Sequence, residues 1–263
     1  TVNYTGFVDG EDATDLSGTL SISRALGEAV NTYAITASGL TSTNYLINYV
    51  DGVFTITNKS MTSTEITTGT IADLVYTGQS QSPTLEVKDG TTFLTQDTDY
   101  TLSYANNTNV GTATVTITGM GNYAGTKQVT FNITKAALTV TADDKAKEFG
   151  ESDPTLTASY AGFVSGEDQD DLSGTLSISR AAGEAVNTYA ITASGLTSTN
   201  YSISYGEGVF RITNKSMMST EITTGTIADL VYTGQAQTPR PEVKDGTTVL
   251  LKDTDYELSY ADN

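Results

Sequence analysis

The chain repeats itself. Residues 1–107 align without a gap to residues 157–263 at a constant offset of 156, and 85 of the 107 aligned pairs are identical. NTYAITASGLTSTNY at 31–45 recurs unchanged at 187–201, and STEITTGTIADLVYTGQ at 63–79 recurs at 219–235. A period this long exceeds a single solenoid repeat, which runs to roughly 20–50 residues, and fits two small domains. The repeated unit divides into two unlike halves, here A and B, which predicts a partial A at 1–58, a B at 59–136, an A at 137–214 and a partial B at 215–263. The first A lacks the counterpart of 138–156 and the last B that of 108–135, so the expectation is a stretch of a longer array with open sheet edges, which soluble proteins otherwise avoid.

Hydrophobic periodicity points to strands. In B, Ala113, Val115 and Ile117 alternate with Thr112, Thr114, Thr116 and Thr118, a turn is expected over 119–122, and Val129, Phe131 and Ile133 alternate on the return. Period two on both sides of a Gly-containing turn predicts a hairpin with one buried face and one Thr-rich face in water. In A the same grammar predicts strands at 138–142, 176–179, 189–193, 201–205 and 209–213, with a short helical turn over 168–172. Abundant Thr and Tyr favour pleated surfaces, while Gly and Asn favour the turns between them. The fold class expected is all-β: a tandem array of small β-sandwich or β-grasp-like domains. The connections at 57–60, 134–137 and 213–216 are short and lack Gly and Pro, unlike flexible linkers, so the array is expected to form an elongated rod.

Charge and missing residue types narrow the chemistry. Against 13 basic side chains stand 31 acidic ones, and the net charge of -18 repels phosphate backbones and anionic bilayers. Nucleic acid is therefore not an expected partner, and no run of about 18 apolar residues predicts membrane insertion. The chain has neither His nor Cys, which removes Ser-His, Cys-His and thiolate or imidazole metal solutions. Gly119-Met120-Gly121-Asn122-Tyr123 lies between two strands and precedes no helix, so it is not read as a phosphate loop.

The residues of A, with Leu138-Thr139-Val140-Thr141-Ala142, Phe149-Gly150-Glu151-Ser152-Asp153-Pro154, Leu172-Ser173-Gly174-Thr175-Leu176, Asn187-Thr188-Tyr189-Ala190-Ile191 and Asn200-Tyr201, resemble the MBG domain of the YGX type. Phe149 stands where that family usually carries Tyr. B is similar to Ig-like repeats of bacterial surface proteins, through Tyr76-Thr77-Gly78-Gln79, Asp99-Tyr100, residues 106–113 and Gly121-Asn122-Tyr123-Ala124-Gly125-Thr126. The resemblance implies an adhesin-like protein of the bacterial cell surface, extracellular in location, and it brings no shared catalytic residues.

Four features were weighed as sites. The acidic stretches 9–15 and 166–171, with Glu167, Asp168, Asp170 and Asp171 in the second, could gather oxygen ligands for calcium, but their spacing is not that of an EF-hand and the ligand set changes between copies, Ala13 to Gln169 and Thr14 to Asp170; a solvated acidic loop is the reading preferred. Tyr33, Tyr45, Tyr76, Tyr100 and Tyr104 recur as Tyr189, Tyr201, Tyr232, Tyr256 and Tyr260 and are expected to serve packing rather than a sugar platform. Lys88 and Lys244, in matching Glu-Val-Lys-Asp-Gly segments, are read as exposed turn residues rather than partners in a covalent Lys–Asn bond. Paired carboxylates of the glycosidase kind are not held at a set spacing. No catalytic, cofactor-binding or metal residue is assigned and no cofactor is expected. The function expected is a non-catalytic stalk or spacer, with neighbouring repeats as partners and a host or environmental glycan or protein as the distal ligand. The alternatives are multivalent glycan- or mucin-binding modules and the subunit of an extracellular fibre, with end modules completed by strands from a neighbour.

Overall fold

The computed structural model describes residues 1–261; residues 262 and 263, the end of the last B segment, lie outside it. The described residues form strands and two single 3-10 turns and contain no α-helix, so the chain is all-β, built from several small sheets. It divides into two compact units. One comprises Thr1–Ala136 together with Val164–Glu167 and Thr199–Tyr201; the other comprises Ala137–Phe163, Asp168–Ser198 and Ser202 onward.

In the first unit, β1 (Ser17–Arg24), β2 (Asn31–Thr41) and β3 (Gly52–Ile56) form an antiparallel sheet. There follow β4 (Lys59–Ser60), β5 (Ile66–Thr68), β6 (Leu74–Val75), β7 (Val87–Asp89), β8 (Thr92–Phe93), β9 (Tyr100–Ala105), β10 (Gly111–Gly119), β11 (Tyr123–Ala124) and β12 (Thr126–Thr134). The expected hairpin is β10–β12: Ala113 faces Phe131, Val115 faces Val129 and Ile117 faces Lys127. Ala113, Val115 and Ile117 are fully buried while Thr112 and Thr118 are exposed, so period-two alternation sets which face makes the core. β9 flanks β10, β6 runs parallel to β12, and Met61, Ile66, Val87, Tyr100, Phe131 and Ile133 are also buried in this unit.

The connection at 57–60 is hydrogen-bonded along its length. Asn58 Nδ2 donates to the Gly121 carbonyl at 2.8 Å, Lys59 N donates to the Asn122 carbonyl at 2.9 Å, and Met61 N donates to the Ala124 carbonyl at 2.9 Å. From the first A segment, Val30 N donates to Asn122 Oδ1 at 2.9 Å. The Gly121-Asn122 turn, which closes the hairpin, thus also satisfies the backbone of the chain arriving from A.

The second unit contains β13 (Ala136–Ala142), β14 (Lys145–Glu148), β15 (Ala158–Ala161), β16 (Ser173–Arg180), β17 (Asn187–Thr197), β18 (Tyr201–Gly206) and β19 (Gly208–Thr213). They make two sheets, ordered β15-β13-β18 and β14-β19-β17-β16. The burial of β13 alternates strictly, with Leu138, Val140 and Ala142 inside and Ala137, Thr139 and Thr141 outside. Ala142 packs with Ile191, Ala193, Phe210 and Ile212, and Leu156, Leu176, Ile178 and Tyr189 close over that cluster. β20 (Ile222–Thr224), β21 (Val243–Asp245) and β22 (Thr248–Val249) form a separate small sheet that repeats β5-β7-β8. After Thr213 no strand begins until Ile222.

Candidate functional site

The acidic stretches fold onto their own backbone. Asp12 caps the 3-10 turn Ala13–Asp15, its Oδ1 accepting from Thr14 N at 2.7 Å and Thr14 Oγ1 at 2.6 Å, while Asp15 Oδ2 accepts from Asp12 N at 2.8 Å. Asp168 caps Gln169–Asp171 in the same way, accepting from Asp170 N at 2.8 Å, with Asp171 Oδ2 accepting from Asp168 N at 2.9 Å. Each is a capping box that satisfies donors the turn leaves free, and the expected helical turn over 168–172 is this one. The hydrogen bonds from Thr14 hold the Asp12 carboxyl below the usual carboxylate range. Among the described residues no group of three or more acidic side chains is placed to hold a metal ion.

Glu167 has a different role from its acidic neighbours. It accepts hydrogen bonds from the hydroxyls of Tyr76 and Tyr201, whose rings meet edge-on with centroids 5.7 Å apart, and Tyr201 Oη in turn accepts from Val164 N at 3.1 Å. The bond to Glu167 is the main reason the Tyr76 hydroxyl is pushed up to about 12, since ionisation would set two anions side by side. The first copy contains half of this node: Tyr45 donates to Glu11, and Val8 N donates to Tyr45 Oη at 3.1 Å. Packing thus accounts for the tyrosines as expected at Tyr33, Tyr76, Tyr100 and Tyr201, which are buried. Tyr232 departs from that expectation. It stands in the same sequence context as Tyr76, which is 4% exposed, yet is itself 90% exposed.

Lys88 and Lys244 lie in strands, β7 and β21, rather than in turns; the turn begins two residues later, at Gly90-Thr91 and Gly246-Thr247. The Lys88 ammonium sits 4.2 Å from the Phe93 ring centroid, and Lys244 pairs with Glu242. The lysines in the connections also meet acids. Lys59 Nζ bonds Glu65 and Asp89, the latter at 2.6 Å, and Tyr123 Oη donates to the other Asp89 oxygen at 3.2 Å. Lys215 repeats the arrangement with Glu221 and Asp245. Hydrogen bonds donated to Asp89 and Asp245, respectively, lead in pushing Lys59 and Lys215 up to about 12.

A second ionic node lies in the second unit. Lys147, with 4% of its side chain exposed, bonds Asp153 at 2.7 Å and Glu184 at 2.5 Å. Arg180 bridges the same two acids, with Nε 2.6 Å from Asp153, and its guanidinium lies over the rings of Phe210 and Tyr189, 4.7 and 5.5 Å from their centroids. Arg180, then Lys147, holds the Asp153 carboxyl at about 2; Lys147, then Arg180, lowers that of Glu184; and Asp153, then Glu184, raises Lys147. Asp153 and Glu184 are thus made more acidic, and Lys59, Lys147, Lys215 and Tyr76 harder to deprotonate. A general acid or base needs the opposite tuning, towards neutrality, so the chemistry of these clusters is that of ion pairs which fasten strands.

The MBG domain (YGX type) family matches residues 1–55 and 138–211 of this chain. These are the two A segments; 59–136 and 215–263 fall outside the match. A search of curated proteins finds no match. Among solved structures, domains 4–9 of the surface layer protein SbsC are similar over 84% of this chain at 11% sequence identity and a TM-score of 0.19, and this chain spans 42% of that structure. A likeness at that score carries no argument.

Proposed function

We propose that this chain is part of a non-catalytic, extracellular structural protein of a bacterial surface, in which MBG-like A segments alternate with Ig-like B segments as a spacer. The observation that carries the reading is the connection at 57–60, whose Asn58 side chain and Lys59 backbone, with the following Met61 backbone, are hydrogen-bonded to the 121–124 turn, which restrains it from acting as a free hinge. A spacer delivers length only if its joints do not fold back. The family match over both A segments supports the surface location, and ionic clusters tuned away from neutrality support a structural role. Neighbouring repeats are then the first partners of each segment, and a glycan or protein ligand belongs to whatever the spacer presents.

Small-angle scattering of the 263-residue chain tests this. A compact chain of this length has a radius of gyration of about 18 Å, and the spacer reading expects a value well above it, with the distance distribution skewed to long vectors. A radius near the compact value overturns the reading.

A further inference from the structure

Two short stretches of the second A segment belong to the same compact unit as the B segment before it: residues 164–167 and 199–201 group with 1–136. They reach B at two points. At the first, Glu167 accepts from the hydroxyls of Tyr76 and Tyr201, and Tyr76 N donates to the Thr134 carbonyl at the end of β12, at 2.9 Å. At the second, Asn200 Oδ1 accepts from Val110 N at 3.2 Å and Asn200 Nδ2 donates to Asn109 Oδ1 at 3.3 Å. The Asn200 carbonyl also accepts from Ala136 N at 3.0 Å. The connection at 134–137 is thus bracketed, with Thr134 tied to Tyr76 and Ala136 tied to Asn200.

The A side of this contact is placed by A's own backbone. Glu167 N donates to the Val164 carbonyl at 3.2 Å across a turn whose third residue, Gly166, takes φ +91°. Val164 N donates to Tyr201 Oη at 3.1 Å, so the two stretches are bonded to each other. The first A segment holds the matching residues in the same way, with Glu11 N to the Val8 carbonyl at 3.1 Å, Gly10 at φ +90°, and Val8 N to Tyr45 Oη at 3.1 Å. On the B side, Gly78 takes φ +73°, and a Cβ there would lie 2.9 Å from Val164 Cγ2 and 3.5 Å from Glu167 Oε1. Tyr76 and Tyr201 are both buried, so their hydroxyls meet the Glu167 carboxylate with little competition from water. Tyr76 and Gly78 recur as Tyr232 and Gly234, and Val164, Glu167, Asn200 and Tyr201 match Val8, Glu11, Asn44 and Tyr45. The repeat therefore carries both sides of the contact in each copy.

We propose that residues 164–167 and 199–201 form a clasp that an A segment closes on the B segment preceding it, with Glu167 and Asn200 as positioning residues and Gly78 as the position that lets it close. The surface around Tyr76, Gly78 and Val110 is then a docking surface, and its occupant is the next A segment of the same chain. Glu167 acts through Tyr201: without the carboxylate the Tyr201 hydroxyl loses its acceptor, and the adjacent Asn200, which holds Val110 and Ala136, loses its anchor. The two kinds of connection are held differently. At 57–60 the connection makes the bonds itself, whereas the clasp on 134–137 is made by side chains remote in sequence, so a substitution can loosen one kind and leave the other. The clasp stands whether or not the array serves as a spacer.

Amide exchange resolved by NMR on the full 263-residue chain tests this. Glu167→Ala should speed exchange of the Val110 and Ala136 amides by at least about tenfold, since two hydrogen bonds to a charged acceptor are lost. The amides of Ala113, Val115 and Ile117 in the β10–β12 ladder, and Lys59 N in the other connection, should keep their parent rates. Glu167→Gln retains one acceptor oxygen and should fall between. Gly78→Ala should speed the same two amides, and Val164→Ala added to it should slow them again, because it removes the methyl that the new Cβ meets. Unchanged Val110 and Ala136 rates in Glu167→Ala overturn the clasp. An equal acceleration along β10 and β12 overturns it too, since Glu167 would then support the B fold as a whole. Failure of Val164→Ala to slow exchange in the Gly78→Ala chain overturns the role given to Gly78.

Discussion

Lys147, Asp153, Arg180 and Glu184 show how the same residue types serve differently once their neighbours are known. Asp153 is flanked by two cations, and its carboxyl is held at about 2 instead of the ordinary 3.8. A carboxyl with a lowered folded-state pKa stabilises the fold above its unfolded value, and that stability is lost as pH falls through the folded one. Melting temperature is therefore expected to fall between about pH 4 and pH 2, with Glu184 contributing in the same direction. Asp153→Asn should lower the melting temperature at pH 7 and flatten the acid limb, as calorimetry across that window would register; an unchanged acid limb would contradict the assignment. Little of this was legible beforehand. Lys147 and Asp153 are six residues apart but Glu184 is 37 from the lysine, and only the sheet brings them together. Lys88 and Lys244, marked by their repeated motif, occupy strands near the surface, while Lys59 and Lys215 each take one acid from six residues away and a second from 30.

Among the elements, β16 and β17 contain a device that alternation alone does not reveal. The ladder shifts register between Gly174 and Ser177, and both Gly174 and Gly195 take positive φ, +86° and +96°. A Cβ on Gly195 would stand 2.3 Å from the Thr175 carbonyl oxygen, which only glycine avoids. Gly195→Ala is expected to destabilise the second A segment by about 2 kcal/mol or more, combining the strained φ with the backbone clash, and urea denaturation would measure it. A loss below about 0.5 kcal/mol would mean that the bulge can shift its register to accommodate a side chain. The strands themselves are legible in the alternation: β10 and β12 follow from Val115, Ile117 and Val129, and β18 and β19 from residues 201–205 and 209–213. β16 and β17 run longer than their apolar alternation suggested, because the glycines that interrupt the pattern continue the ladder through the bulge.

At the scale of the whole molecule, burial follows the strands around a side chain. Phe54 is 42% exposed and its counterpart Phe210 is fully buried, in the cluster with Ala142, Ile191, Ala193 and Ile212. Local stability depends on how many neighbours a strand has. β17 lies between β19 and β16, whereas among the described residues β16 pairs only with β17, so backbone amides of β17 are expected to exchange more slowly than those of β16. Similar protection of the two strands by mass spectrometry would contradict that ordering.

The sequence by itself determined the all-β class, the duplication and its phase, and the inward face of each alternating strand, because these depend on residues within a few positions of one another or on identity along the chain. The tertiary structure decided which charges pair, which glycines the bulges require, and which of two identical tyrosines is covered. Those outcomes depend on strands that are remote in sequence, and a side chain's burial belongs to the set of strands around it rather than to the residue.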